Sequence, residues 1–246
     1  MNETLIGPGG NLTARERVAV ALDVPTAEDA LRARDSFGDA LGLAKVGSAL
    51  FVRAGLPLIA ELKDGGAQVF LDLKFHDIPT VVGQAVDKAV DAGVDYLTVH
   101  AAGGPAMVEA AVRAAERGST RVLAVTVLTS LDLESWRAGA SPDEASVEAA
   151  VSRLASLAVG AGAHGLVGSA REAGILRRAG GPSCTVVTPG IHMPGSETPD
   201  QSRSVSVEEA VRSGSDILVI GRGVMNAPDP AAALRSVQHA LEEVSR

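Results

Sequence analysis

Cysteine, aromatic residues and basic charge are all scarce in this chain of 246 residues. Its single cysteine, Cys184, can form no internal disulfide and no cysteine cluster for a metal, which fits a reducing compartment and a core thiol. Aromatics make up only 2% of the residues against 46% hydrophobic, so a core must be built from Ala, Val, Leu and Ile, the composition of a parallel sheet buried on both faces. Lys and Arg number 22 against 30 Asp and Glu, a net charge of −8, and no basic run offers a face to nucleic acid or an anionic membrane. Long apolar runs are missing too: none approaches the roughly 18 to 20 residues that cross a bilayer. The start, MNETLIGPGGNLT, has neither the basic n-region nor the apolar h-region of a secretory signal. A soluble, cytoplasmic protein is expected.

What the chain does have is a cadence. Short β-branched runs at 18–23, 43–46, 69–74, 96–100, 122–128, 165–167, 185–188 and 217–220 are each followed by a turn and a segment of helical period. Those apolar stripes fall at 27–37, 50–64, 81–92, 107–117, 147–161, 171–179, 207–213 and 230–244. Eight alternations of strand and helix specify a single (β/α)8 TIM barrel with a parallel eight-stranded core, for which about 250 residues is the usual length. A doubly wound sheet is the competing architecture, but Val24-Pro25-Thr26 follows the first strand where a dinucleotide fold carries GxGxxG. The expected division is a flexible tail over 1–12, with Gly7-Pro8-Gly9-Gly10, and a barrel domain over 13–246 that opens on a short helix capped by Thr13. The segment 189–204, rich in Pro, Gly, Ser and Thr, is long for a strand-to-helix loop and is a lid candidate.

Charges then stand where a barrel does its chemistry, at the C-terminal ends of strands. Asp23 ends the first predicted strand, Lys45 lies in the second, Asp72 and Lys74 end the third with Asp77 just beyond, and His100 ends the fourth. Residues two apart in a strand share a face, so Asp72 and Lys74 are expected to pair. A salt-bridge network tying strand tops together would account for any one of these residues. Buried ion pairs are poor stabilisers, however, and five charges converging at one mouth point to function. At the far end of the chain, DILVIGRGV places Gly221-Arg222-Gly223 where barrels bind phosphate: glycine admits a close backbone N–H and the guanidinium offers a planar fork. Gln201 and Arg203 are weaker donors in the preceding loop.

These blocks, namely VALDV, AKVG, FLDLKFHDIP, VHAAGG, VTVLTS, TPGI, DQSR and VIGRGV followed by APDP, resemble in content and order the orotidine 5′-phosphate decarboxylase family over about residues 15 to 240. The resemblance implies cofactor-free, metal-free conversion of orotidine monophosphate to UMP and CO2. It implies that Lys74 donates the proton to C6, that Lys45, Asp72 and Asp77 form the charged network around it, and that Asp77 is shared across a homodimer interface. It further implies that Asp23 and Lys45 contact the ribose, Thr129 the pyrimidine, and Gln201, Gly221 and Arg222 the phosphate. Two positions depart from the family pattern. His192 follows TPGI where the family has Arg, so a phosphate or lid contact is weaker or passes to another residue such as Arg203. DIPTV replaces DIPNT, which puts Thr80 one position early and Val81 at the ribose-contacting position. Both bear on affinity more than on reaction type.

Three rivals stand beside this reading. A sugar-phosphate decarboxylase or hexulose-phosphate aldolase keeps D-x-K-x-x-D but holds Mg2+ through a Glu in the second strand, where this chain has Lys45. A Schiff-base aldolase needs a neutral lysine, whereas flanking carboxylates favour the charged form of Lys74. The third is a barrel that binds nucleotide phosphate without turning it over. His76 reads as structural, His100 at a strand end is ambiguous between packing and function with packing favoured, His164 carries no legible signal, and Trp136 with 134–145 reads as a solvated excursion.

Overall fold

The computed structural model describes residues 12–193 and 205–244. Eight strands, β1 (Val18–Ala21), β2 (Leu43–Gly47), β3 (Gln68–Phe75), β4 (Tyr96–His100), β5 (Arg121–Val125), β6 (Gly165–Val167), β7 (Thr185–Pro189) and β8 (Ile217–Ile220), pair in parallel and in chain order to close a barrel. The predicted (β/α)8 architecture is the observed one, and the doubly wound alternative is not. Helices follow the strands in turn: α1 (Ala27–Phe37), α2 (Ser48–Asp64), α3 (Pro79–Asp91), α4 (Pro105–Ala115), α5 (Leu133–Gly139), α6 (Val147–Gly160), α7 (Ala173–Gly180), α8 (Val207–Arg212), α9 (Arg222–Met225) and α10 (Pro230–Val244).

Local chemistry sets the helix ends. The side chains of Thr26 and Ser146 accept the N–H groups of Asp29 and Ala149, and Ser206 with Glu209 forms a reciprocal capping box. α3 and α4 begin on Pro79 and Pro105, two residues ahead of the expected starts, because proline is preorganised for the first helical position. α2 also begins early and is broken at Gly55, whose φ of 64° admits the bend before Pro57.

Alternation along each strand divides the apolar residues into two sets. Outward residues pack beneath the helices, while Ala19, Leu43, Phe70, Tyr96, Leu123 and Ile217 belong to a smaller cluster inside the barrel. Phe70 and Tyr96 meet there edge to face, ring centroids 6.4 Å apart. Leu12, the last residue of the predicted tail, packs against this inner cluster, and the rest of the tail lies outside the described residues.

Polar groups stitch the barrel shut at its N-terminal end. Arg17, just before β1, donates Nε–H to the Asp216 carbonyl at 3.0 Å, across the β1–β8 seam. Asp216 is ion-paired with buried Arg177 and accepts the Val186 N–H at 2.7 Å. Arg177 also donates to the carbonyls of Gly181, Cys184 and Gly214. Cys184 is the core thiol expected, and burial pushes its pKa up to about 11.

Other expectations are corrected. Thr13 opens one turn rather than a helix: its carbonyl accepts from the N–H groups of Glu16 and Arg17, after which β1 begins. β1 stops at Ala21, leaving Asp23 above the ladder, and β5 stops at Val125, after which the Thr126 N–H and hydroxyl both donate to the Val167 carbonyl. The segment read as a solvated excursion contains α5, capped by Asp132 through the Ser135 N–H. Trp136 is only 6% exposed and joins the outer core. Arg137 donates to the Glu144 carbonyl and Arg153 to its carboxylate, which fasten the segment to α6. Trp136→Ala is expected to cost about 3 to 5 kcal/mol, as for other buried Trp truncations, read as a lower urea midpoint; an unchanged midpoint would return Trp136 to the solvated surface.

Candidate active site

Four of the charged residues singled out in the sequence meet at the C-terminal mouth of the barrel. Lys45 stands two residues above Leu43 on the inner face of β2, and its amine is 3.5 Å from Asp23 Oδ1 and 3.7 Å from Asp72 Oδ2. Lys74 Nζ lies 2.8 and 2.9 Å from the two oxygens of Asp72. The result is an alternating row, Asp23–Lys45–Asp72–Lys74, in which each interior charge has opposite neighbours. Lys45 and Asp72 side chains are 10% and 14% exposed, whereas Asp23 at 68% and Lys74 at 36% open toward the mouth.

The contact between Asp72 and Lys74 is the expected one, but its geometry is not that of a regular strand. β3 pairs with β4 through Leu71↔Leu97 and next through Phe75↔Val99, so residues 72, 73 and 74 stand opposite residue 98 alone. Within this bulge Lys74 has φ 51°, the only positive φ outside glycine among the described residues. Such a backbone costs of order 1 to 3 kcal/mol and persists only where its surroundings hold it. Here the holder is Thr98, buried at 1% exposure, whose hydroxyl accepts the Lys74 N–H at 2.9 Å and donates to Asp72 Oδ1 at 2.9 Å. Sequence reasoning passed over Thr98. The signal was its place two residues before His100, on the same inward face of β4.

Asp77 does not join the row. It sits exposed at the turn into α3, where its Oδ1 accepts the N–H of Ile78 at 2.7 Å, and it makes no ion pair among the described residues. Thr80 and Val81 follow in the first turn of α3, also exposed. Ile78 is 64% exposed and Val81 41%, an apolar rim beside the mouth.

On the other side of the barrel, Thr129 is exposed beyond the end of β5. Gly221 follows β8 and caps α9, whose first residue is the exposed Arg222. Half-buried His192 lies past β7 and donates its N–H to the Val205 carbonyl at 3.1 Å. Gln201, Arg203 and the lid candidate from residue 194 onward lie outside the described residues.

The histidines have defined environments. His100 is half-buried with its ring 5.4 Å from that of exposed His76. Burial, with His76 and Lys74 beside it, lowers its pKa against the opposing pull of Asp72. His164 accepts the Val122 N–H on Nδ1 at 3.0 Å, so it is a structural acceptor on the approach to β6, and burial again lowers its pKa.

Residues 16–237 match the profile of the "Orotidine 5'-phosphate decarboxylase / HUMPS family". The chain belongs to that family. It is 48% identical over 228 residues to an orotidine 5′-phosphate decarboxylase of Anaeromyxobacter sp. strain K, covering 92% of this chain and 98% of that one. With the enzyme of the same name from Moorella thermoacetica it shares 43% identity over 238 residues, 94% of each chain. The crystal structure of orotidine 5′-phosphate decarboxylase from Lactobacillus acidophilus superposes with a TM-score of 0.81 at 31% identity, over 92% of this chain and 99% of that one.

The two half-buried histidines, His100 and His164, contribute to the acid response of the fold. Their folded pKa lies below the unfolded value of about 6.5, so below that pH the unfolded state binds more protons and stability falls as pH falls. His164→Asn keeps an acceptor for the Val122 N–H and removes the titration, so its unfolding midpoint is expected to vary less between about pH 7.5 and 5.5 than that of the wild type. An unchanged slope would exclude His164 as a source of the acid sensitivity.

Proposed function

We propose that the chain removes CO2 from orotidine 5′-monophosphate to give UMP, the last step of de novo pyrimidine synthesis, without a cofactor. The observation that carries this reading is the row Asp23–Lys45–Asp72–Lys74 at the barrel mouth, with a cationic nitrogen at its open end. Breaking the bond from C6 to the carboxylate leaves an electron pair on C6 of the ring as CO2 departs. The Lys74 ammonium meets charge that develops only in the transition state, which raises the rate rather than ground-state binding. One proton then passes from Nζ to C6, and solvent reprotonates the amine.

Asp72 has a second effect. Beside the substrate carboxylate, at about 4 Å and an effective dielectric of 20, it would oppose the ground state by about 4 kcal/mol, and the opposition vanishes with CO2. It is secondary to the lysine. Asp23 and Lys45 bind the ribose, Thr129 the pyrimidine, and Gly221 and Arg222 the phosphate, with Gln201 and His192 from the loop after β7. Binding energy from the distant phosphate offsets the cost of assembling the charged site. The hexulose-phosphate branch of the family is the less favoured reading, because Lys45 puts a cation 3.5 and 3.7 Å from the two carboxylates that a divalent ion would seek.

The working unit is a homodimer in the cytoplasm, built from a single catalytic domain over 13–246. Two features support the dimer: Asp77 is turned away from its own row, and apolar Ile78, Val81 and Val52 are exposed. Val52 lies on α2, next to α3 in the barrel order, and no helix among the described residues is long and apolar enough to cross a membrane. Asp77 and the Thr80–Val81 turn then complete the site of the partner subunit.

Addition of orotidine monophosphate to protein freed of metal with EDTA is expected to give the absorbance fall of UMP formation at an undiminished rate. Lys74→Ala is expected to lower kcat by about 10³-fold or more while the fold is kept; near-normal turnover by that variant would overturn the assignment. Mixing inactive Lys74→Ala and Asp77→Ala proteins is expected to restore part of the activity, because the mixed dimer holds one intact site. No recovery, with subunit exchange shown by mass, would put Asp77 outside a shared site.

A further inference from the structure

We infer that Thr98 is a positioning residue for the Asp72–Lys74 pair, its hydroxyl setting the height and aim of the lysine amine above the barrel floor. The inference rests on the decarboxylase reading. At the bulge β4 supplies only residue 98 opposite residues 72, 73 and 74, so the regular ladder cannot serve the Lys74 N–H. The Thr98 Oγ1 serves it instead, at 2.9 Å, and lies 2.9 Å from Asp72 Oδ1 as well.

The direction of both hydrogen bonds is dictated by chemistry. An amide N–H can only donate and an ionised carboxylate can only accept, so the one hydroxyl proton is committed to Asp72 and the oxygen lone pair to Lys74. One side chain thus fixes the backbone from which the lysine rises and the carboxylate that its amine grips. The backbone it fixes is the one at φ 51°, which needs such a hold.

Packing does not call for a hydroxyl here. Thr98 is 1% exposed and stands two residues above Tyr96 on the inner face of β4, where valine has the same shape. Valine at this place would strand the Lys74 N–H and deprive Asp72 of a donor. It would free the carboxylate to rotate away from the lysine amine. Burying a hydroxyl is tolerated because it is fully engaged.

The test is steady-state kinetics of wild type, Thr98→Val and Thr98→Ser, with orotidine monophosphate as substrate and UMP as binding probe. For Thr98→Val, kcat is expected to fall about 10- to 100-fold, the size of one stranded buried donor or a slight misplacement of the reacting group. KM and UMP affinity should hardly change, a split that a general loss of fold would not give. Thr98→Ser keeps the hydroxyl and should restore the rate. Should Thr98→Val not fold, Thr98→Cys, of similar size and weak as a hydrogen-bonding group, is read in the same way. Full kcat in the hydroxyl-free variant, or a loss that Thr98→Ser does not recover, would reduce Thr98 to a staple of the bulge and overturn the inference. Wild type that makes no UMP would instead sink the decarboxylase reading, a separate outcome.

Discussion

A single ionised carboxylate, Asp72, held between two ammonium groups above an apolar floor, is the constraint to which the mouth of this barrel conforms. Its side chain is 14% exposed, so its charge survives burial only with Lys45 and Lys74 at hand. The cations in turn need anions: Lys45 is shared with Asp23, and Lys74 has Asp72 alone among the described residues. Backbone follows charge. β3 bulges, Lys74 turns to a positive φ and Thr98 fills the gap in the ladder, all so that one amine can sit directly over one carboxylate.

The composition of the chain makes that arrangement effective. Scarce aromatics are spent partly beneath the site, where Phe70 and Tyr96 lie two residues below Asp72 and Thr98 on their strands and pack edge to face. Val125, Val167 and Val187 line the interior from the opposite strands. Charges set on such a floor act through a low dielectric, which strengthens each contact and raises the cost of any that is missing. Stability would be better served by hydrophobic side chains at the same positions, which is why the row is best understood as machinery.

The fold was legible because parallel strands buried on both faces read as apolar runs, and helices between them read by their stripes. Asp72 and Lys74 were legible as partners, yet the reasoning that paired them assumed a regular strand. The bulge could not be seen, because nothing in LDLKF marks a departure from period two. Thr98 escaped for a related reason: threonine is a common strand former, and only the observed pairing distinguishes a hydroxyl at work from one merely present. Trp136 was misread because a lone aromatic among Glu134, Ser135 and Arg137 looks solvated until the packing of α5 is known. Asp77 was set near the other charges by its spacing and across a homodimer interface by the resemblance; within its own chain its Oδ1 accepts the Ile78 N–H.

The seam at Arg17 has an implication for how the molecule is made. Its hydrogen bond to Asp216 joins positions 199 apart, so the ring of strands cannot close until β8 has left the ribosome. Asp23, Lys45, Asp72 and Lys74 are all synthesised with the first three strands, well before β8 arrives to close the ring. Biosynthesis therefore delivers the reactive side chains early and the enclosure late, and a nascent half-cylinder with its apolar edges bare is the species most in need of protection by chaperones.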